Sequence, residues 1–184
     1  MELFPDIFPA HLPPLSLAGM LEPMFTLRDL EFLNCQFQTY PQDVTDEDIT
    51  ALATAWPKLQ SLWIIPNDSD VPPPARPVTI TGLVRLAQRC PSLEQLSLFA
   101  VDVEHLPSPD SIPRMEGSSL QELHIWTFIG ESSVDLVMFA VIVDRLFPRL
   151  DLPHSRKTGN SCPDSMWDKV LWLVTAIRAS RGGA

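Results

Sequence analysis

Four histidines, His11, His105, His124 and His154, are the side chains best suited to proton transfer or metal ligation, and they are scattered in a way that argues against a metal site. None stands four residues from another potential ligand on a helical stretch, the spacing that puts two donors on one face around a zinc ion. Cys35, Cys90 and Cys162 are far apart and form no C-x-x-C pair. They point neither to a zinc site nor to a disulfide framework, and a reducing compartment fits them best. No glycine-rich phosphate loop and no G-x-S-x-G elbow is present. Lys157-Thr158-Gly159 matches one element of a serine acylase signature, but no Ser-x-x-Lys accompanies it, so it reads as a solvated turn. The trio Asp46, Glu47 and Asp48 has the charge for a cation site or a general base. Its position just after Thr45, where a helical pattern begins, makes helix-start electrostatics the better account. Asn67-Asp68-Ser69 has the form of a glycosylation acceptor, which carries no weight in an intracellular chain. The expectation is a protein that is not an enzyme and that holds no metal and no cofactor.

The elements that position the other side chains come from an internal repeat. Val44 to Ile64 overlays Val78 to Leu98 without a gap at an offset of 34. Val44/Val78, Thr45/Thr79, Leu52/Leu86, Ala53/Ala87, Pro57/Pro91, Leu59/Leu93 and Leu62/Leu96 are identical pairs. In the first half of each copy the apolar residues recur at helical spacing: Ile49, Leu52, Ala53 and Trp56, then Leu83, Leu86, Ala87 and Cys90. A proline follows, Pro57 or Pro91, and beyond it the pattern becomes Leu-x-x-Leu-x-apolar, which is a strand with alternate residues inward. Thr45 caps the first helix, and Thr79 or Thr81 the second.

This template places strands at Leu27, Leu30 and Phe32; at Leu59, Leu62 and Ile64; at Leu93, Leu96 and Leu98; and at Leu120, Leu123 and Ile125. A degenerate fifth copy is Phe147-Pro148-Arg149-Leu150-Asp151-Leu152. The prolines between Glu104 and Gly117 predict a loop or 3₁₀ turn in place of a helix. A helix is predicted from about Val134 to Leu146, capped by Ser132 or Ser133, and Pro66 to Pro77 is predicted as a polyproline-like surface loop. Asp164 to Arg178 carries Met166, Trp167, Val170, Leu171, Val174 and Ile177 at helical spacing, with Pro163 suited to its first turn. The fold expectation is α/β: a short leucine-rich-repeat solenoid, parallel strands on one face and helices and loops on the other, with a C-terminal capping helix. Residues 1–24 would be an N-terminal cap with a short helix from Leu15 to Met24, 25–152 the repeats, and 153–184 a linker and the capping helix.

Composition narrows the partners. Of 184 residues, 45% are hydrophobic and 20% charged, which is globular; 13 basic against 23 acidic residues give a net charge of −10. So acidic a chain lacks the basic stripe that nucleic acid or an anionic membrane would need. The prolines near the N-terminus break any signal-peptide pattern, and Leu136 to Val143, the longest apolar stretch, is too short to span a bilayer. A cytoplasmic or nuclear protein is expected.

On the strands, the inward rows are read as Leu30, Leu62, Leu96 and Leu123, then Phe32, Ile64, Leu98 and Ile125. The outward rows are Glu31, Trp63, Ser97 and His124, then Leu33, Ile65, Phe99 and Trp126. Two readings of the last, wholly apolar row stand side by side. It is a partner site with Trp63 and Trp126 as anchors, or the strand rims curl under the following loops and bury it as a second small core. The candidate partner-binding residues are Leu33, Trp63, Ile65, Phe99, His124 and Trp126.

Val44-Thr45-Asp46 through Ala55-Trp56-Pro57-Lys58-Leu59-Gln60-Ser61-Leu62, Gly82-Leu83 through Cys90-Pro91-Ser92-Leu93, and Leu146-Phe147-Pro148-Arg149-Leu150 are similar to recurring units of a known family. From about Leu15 to Leu152 the chain resembles the leucine-rich-repeat region of F-box proteins, especially the divergent ones of mushroom-forming fungi. The resemblance implies target recognition for a cullin-based ubiquitin ligase, the repeats holding a protein target and an F-box holding a Skp-type adaptor. The chain departs from that pattern because it lacks the F-box itself: Leu3-Phe4-Pro5-Asp6-Ile7-Phe8 only echoes its opening. Adaptor binding is therefore expected only if an F-box exists upstream. The alternative is a stand-alone repeat scaffold or regulator unrelated to ubiquitin, such as a modulator of a small GTPase.

Overall fold

The computed structural model describes residues 16–37, 41, 43–67, 71–130, 134–157 and 165–182. In chain order they form α1 (Leu17–Leu21), β1 (Phe32–Phe37), α2 (Asp46–Ala55), β2 (Ser61–Pro66), β3 (Val78–Thr79), α3 (Ile80–Arg89), β4 (Gln95–Asp102), β5 (Glu122–Ile129), α4 (Leu136–Leu146), α5 (Leu152–Lys157) and α6 (Met166–Gly182). The protein is mixed α/β. Its sheet is parallel and runs β1-β2-β4-β5, with short β3 beside the end of β4.

The two copies of the repeat fold alike, residue for residue: α2 and α3, like the starts of β2 and β4, lie 34 residues apart. Thr45 opens α2 in a full capping box with Asp48, and Thr79 caps α3 by accepting from the N–H of Thr81. Helices α2, α3 and α4 end on Trp56, Cys90 and Phe147, whose backbones share one conformation (φ −127, −118 and −131°; ψ 70, 70 and 66°). Each precedes a proline, whose ring disfavours helical geometry in the residue before it. The same turn follows each time: the N–H of Leu59, Leu93 and Leu150 donates to the carbonyl of Trp56, Cys90 and Phe147.

After this turn the chain enters a ladder. Glu31 O accepts from the N–H groups of Gln60 and Ser61, Gln60 O from Glu94 and Gln95, Glu94 O from Gln121 and Glu122, and Gln121 O from Asp151, at 2.7–3.0 Å. The fifth copy therefore joins the ladder at Asp151, but it does not continue as the expected strand. It folds into α5, and Ser155 Oγ accepts from the N–H of Leu123 at 3.3 Å, closing the edge of β5 that another strand would occupy.

Two register expectations are corrected. In the first strand Leu33, not Leu30, pairs with Leu62, and Cys35 pairs with Ile64, so Leu33 is buried in the row of Leu62, Leu96 and Leu123. Phe32, expected inward, is 65% exposed. The strict alternation also fails late in the strands. The Phe128 ring packs against Phe139 of α4 and Trp167 of α6, so it points to the helix side three residues after Ile125, not two. Val101, its partner in β4, is likewise in the core.

No α-helix forms between β4 and β5; a 3₁₀ turn at Pro109–Ser111 stands there, as the prolines implied. The helix predicted from Val134 begins at Leu136 and is capped by Asp135, whose Oδ1 accepts from the N–H groups of Val137 and Met138. The expected caps Ser132 and Ser133, and Pro163, Gly159, His11, Cys162, Asp68, Ser69 and the Leu3 to Phe8 segment, lie outside the described residues. At the ends, α1 packs on α2, and α6 packs on α4 and α5. Trp167, Val170, Leu171 and Val174 of α6 are buried, each worth about 1.5–3 kcal/mol of transfer free energy.

The acidic trio does more than favour the helix dipole. Asp46 Oδ1 and Oδ2 accept from the backbone N–H and the hydroxyl of Thr79, at 2.8 and 2.7 Å, tying the start of α2 to the cap of α3. Asp48 reaches the other way, its Oδ1 accepting from Ala18 N at 2.9 Å in α1. Gly82 leaves the space for Asp46, since a Cβ there would stand 2.4 Å from Asp46 Oδ1 and 2.8 Å from Val78 Cγ1. Gly82→Ala is therefore expected to destabilise the protein by about 1–3 kcal/mol, although alanine is the better helix former. Denaturant melts of wild type and G82A check this; a stabilised variant would show that Asp46 is free to move.

Candidate functional site

Leu62 and Ile64 point into the core toward the helices, so Ser61, Trp63 and Ile65 stand on the opposite face of the sheet. Register then assembles three rows across that face. The first is Phe32, Ser61, Gln95 and Glu122; the second is Asn34, Trp63, Ser97 and His124. The third begins with Gln36 and Ile65 and passes to Phe99 and Trp126.

Beyond Phe32 the first row is polar, and it continues onto α5. Ser61 Oγ donates to Gln95 Oε1 at 3.2 Å, and Glu122 Oε1 lies 3.3 Å from Nε2 of His154. In the second row the small Ser97 lies between two rings, Trp63 and His124, whose centroids are 6.4 Å apart at a tilt of 55°. His124 is only 3% exposed, and burial is the main force holding its pKa below the ordinary 6.5; nearby His154 acts the same way, while Glu122 and a hydrogen bond to the Ser155 backbone oppose it.

Of the residues expected to bind a partner, Leu33 faces the core for the register reason given above. Ile65 and Phe99 lie on the third row but are 6% and 3% exposed, so the contiguous four-residue apolar patch does not form. Trp63 and Trp126 are half-buried, each ring leaving part of its surface to solvent. His124 is buried beside Trp63. Asn34 takes the place beside Trp63 expected for Glu31, which serves the backbone ladder. The Glu122–His154 pair was not foreseen, because it depends on a helix standing where a strand was expected. The amide and carboxylate row was implicit once Ser61, Gln95 and Glu122 are aligned at offsets of 34 and 27.

The chemistry on offer is contact, with hydrogen-bond donors and acceptors in one row beside two partly open indoles. Among the described residues, no three His, Cys, Asp or Glu side chains converge on a point that would hold a metal. No helix among them is long and apolar enough to cross a membrane. Cys90 is buried, its Sγ against the carbonyls of Ala53 and Trp56, and burial pushes its thiol up to about 11; this leaves little thiolate for nucleophilic work. The chain matches no protein-family model and no curated protein.

The His124 environment carries a pH signature. A histidine whose folded pKa lies below its unfolded value binds fewer protons when folded, so its stabilising effect is complete above the ordinary 6.5 and is lost as pH falls through and below it. Melting temperatures taken from about pH 7.5 to about pH 5.5 should fall more steeply in wild type than in His124→Gln. Parallel slopes in the two proteins would assign the acid sensitivity elsewhere.

Proposed function

We propose that the chain is a short leucine-rich-repeat solenoid whose sheet face holds a protein target, serving as the recognition part of an F-box-type ubiquitin-ligase receptor. The observation that carries this reading is the pairing of two half-exposed tryptophans, Trp63 and Trp126, with the polar row Ser61, Gln95, Glu122 and His154 on one face. Large amphipathic rings beside ordered polar groups are what protein interfaces use as anchors and rim. The repeated units and the Pro-terminated helices support the leucine-rich-repeat assignment, and their resemblance to the F-box family supports the ligase role. A Skp-type adaptor would enter through an F-box and leave the sheet face to the target.

Affinity capture compares the wild-type chain with a Trp63→Ala/Trp126→Ala double variant, with melting temperature and circular dichroism as folding controls. A bound protein common to replicate captures is expected to weaken by about tenfold or more, since anchors of this type are worth about 2 kcal/mol or more each. Undiminished capture by a folded double variant sinks the sheet-face reading. Co-purification of the target-bound chain with a Skp-type adaptor separates the ligase role from a repeat scaffold unconnected with ubiquitin.

A further inference from the structure

The acidic chain brings part of its positive charge together in one place. Arg114, Arg145, Arg178 and Arg181, four of its 13 basic residues, line a cavity of about 260 Å³ at the C-terminal end of α4, with Asp144, Glu116 and Pro148. Four guanidinium groups against the two lining carboxylates and Asp110, whose Oδ1 stands 3.5 Å from Nη1 of Arg145, leave one positive charge in excess within a chain of net charge −10.

The inner guanidinium groups are already fixed. Asp144, 4% exposed, accepts from Nε of Arg178 at 2.9 Å and from Nη1 of Arg181. Arg178 gives its other nitrogens to the carbonyls of Leu150 and Phe147, at 2.8 and 2.9 Å, and so cancels the negative end of α4. Arg145 Nε donates to Ile112 O at 3.1 Å, and Met115 N donates to Arg145 O at 3.0 Å, which pins the segment bearing Arg114 against α4. These bonds account for the buried carboxylate and the helix end. They do not use Arg114, which is exposed and makes no hydrogen bond or ion pair with any described residue, and they use only one nitrogen of Arg181.

We propose that this cavity is a binding site for a phosphate group, either free in a small molecule or as a monoester on a protein side chain, with Arg114 and Arg181 as its donors. A planar guanidinium matches two phosphate oxygens at once, and that of Arg181, already held by Asp144, loses little rotamer freedom on binding. The volume lies just below the ~300–1,000 Å³ of pockets that enclose drug-sized ligands, so it suits an anionic head group and its first few carrier atoms. The site stands apart from the sheet face, on the side of α4 and α6, and does not rest on the target-recognition reading.

Titration calorimetry of the full chain with sodium phosphate, against sodium chloride at matched ionic strength, tests it. Saturable binding specific to phosphate is expected, with affinity falling about tenfold or more in Arg114→Ala, in line with loss of a charge-assisted contact. The melting temperature of R114A without phosphate should equal that of wild type, because Arg114 has no partner to lose. The Trp63→Ala/Trp126→Ala variant should bind phosphate normally, which separates this site from the sheet face. Equal responses to phosphate and chloride, or unchanged phosphate affinity in R114A, overturn the proposal. Tighter binding of a phosphoserine peptide than of inorganic phosphate assigns the protein-borne source, and the reverse order assigns the free one; both support the site.

Discussion

One backbone carbonyl per unit, Glu31, Gln60, Glu94 and Gln121 in turn, receives the N–H groups that begin the next unit, and the rest of the structure is arranged around that ladder. It sets neighbouring strands about 4.8 Å apart, so equivalent side chains meet in rows and the leucines of successive units form one core. Its geometry depends on how each helix ends. Trp56, Cys90 and Phe147 turn out of the helix before a proline, and the common turn delivers the next residues to the ladder in the same orientation. A unit without this turn would enter the sheet out of register and expose its apolar row.

Charge is used to join units as well as to start helices. Asp46 links α2 to the cap of α3, Asp48 links α2 to α1, and Asp144 is held by two arginines of α6. Removing one partner from a buried carboxylate costs far more than the pair contributes, so such ties act mainly to specify which neighbour is correct. Gly82 belongs to the same device, since its missing side chain is the space that Asp46 occupies.

The two faces of the molecule offer different chemistry. Opposite the helices, the sheet presents a polar row and two half-covered indoles, with Ser97 and His124 buried beside Trp63. Beside α4 and α6, a cavity brings together four of the chain's ten arginines. The expected row of four exposed apolar residues is absent because Leu33 takes the core register and Ile65 and Phe99 are buried, which leaves only Trp126 of the four partly open.

Much of the local grammar is legible in the chain: the 34-residue repeat, the threonine-capped starts of α2 and α3, the proline turns, the helix-poor third unit and the mixed α/β class with its C-terminal helix. These follow from side-chain periodicity, capping hydroxyls and the restricted backbone around proline, all of which act within a few residues. Long-range packing places Leu33 and not Leu30 in the leucine row, and turns the fifth copy into α5 rather than a strand. It also decided that Ile65, Phe99 and His124 are buried while Trp63 and Trp126 stay partly open, and that Arg114 stands near Arg181. Those outcomes depend on which distant backbone groups pair and on what lies over a given side chain. Both are settled by packing across the chain, where a shift of a few residues exchanges core for surface without changing any local signal.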